Sequence, residues 1–153
     1  MKLSRYKILV GLLFAVTQIV AQENAVFHSS HLPQKQNAPF SDAVEANGFI
    51  FLAGQIGFNY EEGALAKGGI QEETRQALEN IKAVLKHHQL DTDAVIKCTV
   101  ILKNIEDFAA FNEVYVTYFP NKPARTTFAA SGLARNALIE IECIAVKRKK
   151  SGN

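Results

Sequence analysis

Arg125 in "PARTTF", and Glu140 with Glu142 in "ALIEIECIAV", are the residues whose types and spacing could do chemistry. A guanidinium is a planar fork of donors matched to a carboxylate, so an arginine at the start of a strand can clamp a small acid bidentately. A glutamate on a partly apolar strand face has its pKa pushed up by lost hydration and can pass a proton near neutral pH. The same residues fit a buried ion pair of Arg125 with Glu140 or Glu142 equally well, and each glutamate also fits a solvated strand position. Other chemistries have less support. The chain has no GxSxG, P-loop, HExxH or GxGxxG pattern. His28 and His31 fall in a polar lead-in, and His87-His88 end a helix, where the dipole favours histidine. All four read as surface residues. Cys98 and Cys143 are the only thiols; neither is in a CxxC pair and neither has a histidine nearby, so no metal site is expected.

The elements that must hold these residues can be read from pattern. After the lead-in, "DAVEANG" and "FIFLAGQIGF" read as strands joined at Asn47-Gly48, a strong hairpin signal. "NYEEGALAKGG" is a glycine-rich loop with room for one short strand. A helix over about 71–88 follows, with apolar or small residues at 70, 74, 77, 78, 81 and 85 on one stripe. Next come the strand "AVIKCTVIL" and a second helix over about 107–119, whose start is signalled by Asn104 and Asp107. Phe108, Phe111, Tyr115 and Tyr118 on one side of that helix read as core. The final strands carry Arg125 and Glu140, with a turn at "GLARNA", and are expected to be neighbours. Helices on one face of a mixed or antiparallel sheet make the chain α+β, in one domain.

Alternation divides the strands into two faces. Ile139, Ile141, Cys143 and Ala145 share a face, as do Ile96, Cys98, Val100 and Leu102; these are expected to meet the helices. Both cysteines therefore fall on the helix-facing side, where small buried free thiols are the favoured reading, although they could pair in an oxidising compartment. The opposite face mixes Glu140, Glu142, Lys97 and Thr99 with Val95, Ile101, Leu138, Ile144 and Val146. A half-apolar outer face of this kind usually packs against another chain.

The 153 residues suffice for one core, and 48% hydrophobic with 21% charged residues is globular composition. Lys2, Arg5 and Lys7 precede an apolar run from Ile8 to Val16 and a small residue at Ala21, the pattern of a secretory signal peptide over 1–21. The run is short for a membrane anchor. Export to a periplasm or the exterior is expected, with no stable membrane insertion after cleavage. Removing those three cations from the 17 basic residues leaves 14 against 15 acidic ones. The near-neutral balance argues against nucleic acid as a partner. The basic run at 147–150 reads as a solvated strand end.

"GQIGF", "QEETRQALENIKAVL", "VIKCTVILKNIEDFAAFNEVYVTYF", "PARTTF" and "ALIEIECIAV", in this order and spacing, resemble the Rid (YjgF) family of reactive-intermediate deaminases. The resemblance covers a domain at about 37–148, with residues 22–36 as lead-in and 149–153 as a basic tail. It implies a chorismate-mutase-like α+β fold, with a mixed sheet and two helices on one face. It also implies a homotrimeric barrel with a ligand cleft at each subunit interface. The implied activity is hydrolysis of 2-imino or enamine acids such as 2-aminoacrylate to 2-keto acids and ammonia, without metal or organic cofactor. By the same resemblance Arg125 binds the substrate carboxylate and Glu140 activates water or passes the proton. Asn112, Thr127 through its backbone, and the "APF" and "AGQI" segments with Phe40, Ala53 and Gly54 line the cleft. Phe40 stands where members commonly have tyrosine and Ala53 where they have serine, so two hydroxyls are absent; each such hydrogen bond is worth about 1 kcal/mol. That departure keeps open a non-catalytic small-carboxylate binding module. Endoribonuclease activity, ascribed to some members, fits the near-neutral charge poorly.

Overall fold

A computed structural model describes residues 24–147. The expected signal peptide, 1–21, and the expected basic tail, 149–153, lie outside the described residues. The strands are β1 (Val26–His28), β2 (Ala43–Ala46), β3 (Phe49–Leu52), β4 (Gln55–Ile56), β5 (Phe58–Asn59), β6 (Ala64–Leu65), β7 (Val95–Leu102), β8 (Ala124–Ala129) and β9 (Ile139–Val146). The helices are α1 (Ile70–His87) and α2 (Phe108–Tyr118). Asn47 and Gly48 both take positive φ, at 50° and 78°, the geometry a two-residue hairpin turn demands. The expected long run 49–58 is cut into three short strands.

Seven strands form one sheet in the order β1-β2-β3-β9-β7-β8, with β4 continuing along β9 past the end of β3. All pairings are antiparallel except β7 with β8, which α2 connects as a crossover. The two final strands are therefore not neighbours, because β7 lies between β8 and β9. Parallel strands need a crossover while antiparallel ones accept a short loop, but the loop after β8 carries the chain over β7 to its far side.

Both helices cover one face. The stripe on α1 buries Ala77, Leu78, Ile81, Val84 and Leu85 against Ile50, Val100, Ile139 and Ile141 of the sheet and Phe111 and Tyr115 of α2. Each fully buried side chain of this size contributes about 1.5–3 kcal/mol. On β7 the alternation slips. Val95 pairs with Ala145 and Lys97 with Ile144, leaving Ile96 as a bulged residue. A bulge flips the face of what precedes it. Val95 is thus buried and Ile96 is 45% exposed, the reverse of the strict alternation expected from sequence.

The lead-in expected to be exposed joins the fold. β1 extends the sheet, Ser30 is buried, and its hydroxyl donates to Asp42 Oδ2 at 2.7 Å. Lys35 forms an ion pair with the other oxygen of Asp42, pinning residues 30–42 to the domain. The four histidines also converge. His28 and His88 meet edge to face with centroids 4.6 Å apart, His31 stacks on His87 at 5.1 Å, and His87 contacts His88 at 5.4 Å. They tie the segment around β1 to the end of α1.

The helix-free face carries Phe49 and Phe51, paired with Val146 and Ile144, and Phe128 beside Ile101. All three phenylalanines are substantially exposed.

Candidate active site

Arg125 and Thr127 occupy alternate positions of β8, on the side facing α2. Residues 108, 111, 112 and 115 recur every three or four positions on α2, so they form one helix face. That face receives the arginine. Arg125 Nη1 donates to Asn112 Oδ1 at 2.8 Å. The guanidinium carbon lies 4.6 Å from the Tyr115 ring centroid, 5.2 Å from Phe111 and 5.6 Å from Phe108. A cation among three ring faces gains electrostatic attraction and loses rotameric freedom. Of five N–H donors, Asn112 engages one edge, which leaves the fork for a carboxylate. The aromatic stripe read as core therefore has two parts: Phe111 and Tyr115 are buried, while Phe108, 41% exposed, borders the arginine. Sequence reasoning missed this sleeve, although the i, i+3, i+7 spacing around Asn112 was its signal.

The ion pair of Arg125 with Glu140 or Glu142 does not form. Cys98 pairs with Arg125 on one side of β7 and with Cys143 on the other, so these three are level across the sheet and face the helices. Glu140 alternates with the buried Ile139 and Ile141 and faces away. Glu140 is level with Ile101 and Phe128, three residues along from Arg125, so two strand spacings of about 10 Å in all, about 10 Å along the strands and the thickness of the sheet separate the two. Among the described residues Arg125 takes part in no salt bridge with a carboxylate.

Glu140 belongs to a second cluster. It pairs with Ile56 of β4 and Ile101 of β7. Gly54, just before β4, passes directly over its carboxylate. A Cβ added there would stand 2.9 Å from Glu140 Cδ and closer still to Oε1, so only glycine leaves the carboxylate in place. Ala53 donates its N–H to the Asp42 carbonyl at 3.0 Å, which holds the 40–42 segment, including the 54% exposed Phe40, alongside. Burial raises the Glu140 pKa above the usual carboxylate range, and the neighbouring Glu142 charge adds to the rise. Such a group can exchange a proton with water nearer neutrality.

The candidate residues thus fall into two separate clusters. Arg125, Asn112 and Thr127 lie on the helix side near the sheet edge, and Glu140, Gly54, Ala53 and Phe40 belong with the opposite face. The Thr127 hydroxyl is buried and has no hydrogen-bond partner. Among the described residues no group of histidines, cysteines or carboxylates is placed to hold a metal ion. No described helix is long and apolar enough to cross a membrane.

Such a chain, an α+β domain with an arginine held among aromatic rings and a glutamate on opposite faces of one sheet, has recognisable relatives. The Endoribonuclease L-PSP family model matches residues 17–147. A RutC family protein of Pyrococcus horikoshii is 48% identical over 114 residues, covering 74% of this chain and 90% of the relative. The 2-iminobutanoate/2-iminopropanoate deaminase of Mus musculus is 41% identical over 110 residues, covering 71% of this chain and 82% of that protein. Among solved structures, E. coli TdcF with bound serine superposes with a TM-score of 0.68 at 32% identity, covering 72% of this chain and 89% of that one. The chain belongs to the Rid/YjgF (L-PSP) family.

Proposed function

We propose that the protein hydrolyses small 2-imino and enamine acids, such as 2-aminoacrylate, to 2-keto acids and ammonia. The reaction takes place at a site completed between copies of the chain. Arg125 and Asn112 of one copy hold the substrate carboxylate, with the Thr127 backbone beside it. Glu140, Gly54 and the Phe40–Ala53 wall come from its neighbour, in a closed homotrimer whose helix-free faces turn inward. The observation that carries this reading is the pairing of a caged, partly unengaged guanidinium with a carboxylate whose proton affinity is raised, on opposite faces of one sheet. The exposed Phe49, Phe51 and Phe128 support the assembly, because a free surface rarely presents so large an apolar area. The deaminases among its relatives support the chemistry.

The Glu140 carboxylate takes a proton from a water as the water oxygen bonds to the carbon of the protonated imine, giving a neutral carbinolamine. Glu140 then passes that proton to the amine, and as the C–N bond breaks the hydroxyl gives its proton back to Glu140, leaving the 2-keto acid and ammonia, which carries that proton away as ammonium. An enamine first accepts a proton at its β-carbon to become the imine. Arg125 sets the orientation that makes water attack effectively intramolecular. Residues 1–21, read as an export signal, support a reaction outside the cytoplasm. Because Phe40 and Ala53 lack the hydroxyls common in the family, a second reading keeps the same site as a non-catalytic binder of small keto acids.

The test is ammonia release from imines generated in situ by an amino-acid oxidase. Wild type accelerates release, while Arg125→Ala and Glu140→Ala each abolish it with the oligomer intact. Refolding the two inactive variants together at equal amounts restores about a quarter of the activity, since a ring of mixed copies has that share of interfaces with both groups present. Retained activity in Arg125→Ala refutes the clamp, and no recovery on mixing refutes the shared site. No acceleration by wild type, with pyruvate still raising the melting temperature, selects the binding reading.

A further inference from the structure

Behind the arginine lies a pair of thiols that the proposed reaction does not use. Cys98 and Cys143 face each other directly across β7 and β9, with Sγ atoms 3.2 Å apart and side chains that are essentially buried. Directly opposed residues of antiparallel strands have Cα atoms about 4.5–5.5 Å apart, inside the range a disulfide accepts. Closing the bond requires the sulfurs to approach by about 1.2 Å. Cys98 is also the strand partner of Arg125 on β7's other side. The Tyr115 ring, the sleeve member nearest the guanidinium, turns its buried hydroxyl towards Cys98 without closing a hydrogen bond.

From this arrangement we infer that Cys98 and Cys143 are a disulfide-forming pair whose oxidation is transmitted through Tyr115 to the carboxylate clamp. The two sulfurs share one hydrogen bond in which either can donate, so either thiol can supply the first thiolate. With a small-molecule disulfide as oxidant, that thiolate attacks one of its sulfurs and releases one thiolate. The second cysteine then loses its proton and displaces the other thiolate from the mixed disulfide. Two protein thiols give up two protons and two electrons, and the oxidant becomes two thiols. Because both sulfurs are buried, the reaction accompanies folding or a transient opening, and is slow in the closed domain. Pulling Cys98 Sγ towards Cys143 withdraws it from beneath Tyr115. The ring follows and loosens its contact with Arg125.

The part concerning Arg125 rests on the function proposed above; the disulfide does not. The protein is unfolded and refolded with oxidised glutathione, beside a sample kept reduced. Thiols are counted under denaturant and intact masses measured. The reduced protein titrates two thiols and the oxidised one none, with a mass lower by about two hydrogens and a melting temperature higher by at least about 5 °C. Two titratable thiols, or glutathione adducts without an internal bond, overturn the pairing. The two forms are then compared for imine hydrolysis, or by calorimetry with pyruvate if hydrolysis is absent. The oxidised form shows KM or Kd raised about fivefold, the loss expected for one cation–π contact, with kcat changed less than twofold. Equal affinities in two forms of proven thiol content overturn the coupling while leaving the disulfide standing.

Discussion

Replacing Gly54 with alanine probes whether the Glu140 carboxylate acts where it sits. The backbone of Gly54 is outside the positive-φ region, so alanine can adopt it without strain. The added methyl, however, would lie 2.9 Å from Glu140 Cδ and nearer to Oε1, whereas ordinary van der Waals contact begins at 3.4 Å. The obstacle is the end of a flexible side chain, so the carboxylate swings away by about 1 Å and the fold persists. Stability should change by less than about 1 kcal/mol, since Glu140 is only half-buried and can rotate towards solvent. A catalytic group displaced by that amount loses about 100-fold in rate, or about 2.7 kcal/mol of transition-state stabilisation. The assay is kcat for imine hydrolysis, with urea unfolding in parallel and pyruvate affinity as a check on Arg125. The expected pattern is a large fall in kcat at nearly constant unfolding midpoint and keto-acid affinity. A kcat within threefold of wild type would refute the placement of the acid–base step on Glu140 beside Gly54.

Two further outcomes follow from groups outside the site. Glu73, buried on α1, accepts the Leu138 N–H at 2.8 Å just before β9. Glu73→Ala leaves that donor unpaired and should cost about 1–3 kcal/mol in urea unfolding, with Glu73→Gln losing less than half as much because an acceptor remains; equal losses would show that the hydrogen bond is not the reason. His31 and His88 have pKa values lowered first by burial and then by neighbouring cationic or imidazole groups, which include His87 for both and His28 for His88. A base with a depressed folded pKa binds its proton more readily when unfolded, so stability is full above pH 6.5 and falls as pH drops towards the folded values. Unfolding at pH 7.5, 6.5 and 5.5 should show this decline, and a His31→Asn/His88→Asn variant should show less of it. A flat wild-type profile would sink the account.

The features legible in the sequence were those set by local chemistry. Asn47-Gly48 admits few conformations other than the turn, and the α1 stripe has one period. Alternation alone put Cys98 and Cys143 on a common face and Glu140 on the other. What could not be read depends on contacts between distant segments. Nothing near Ile96 announces a bulge, because the extra residue exists only relative to β9. The position of β7 between β8 and β9 is likewise a property of pairing, and with it goes the separation of Arg125 from Glu140. The ring sleeve around Arg125 and the meeting of four histidines join residues far apart in the chain, each of which alone looks like ordinary core or ordinary surface.

The place of β9 has a consequence for how the domain is made. It is the last of the described strands in chain order, yet it lies in the middle of the sheet and pairs with β3, β4 and β7. Until it arrives, the hairpin of β2 and β3 and the crossover of β7, α2 and β8 are separate fragments, each with an unpaired edge and an uncovered apolar face. Joining the two fragments through β9 is a long-range step, with the entropy of closing large loops to be met before any contact rewards it. Deleting this one strand would remove the partner of both halves at once, so it is far less tolerable than a change of equal length in the segment 60–69 around β6, which pairs only with β5.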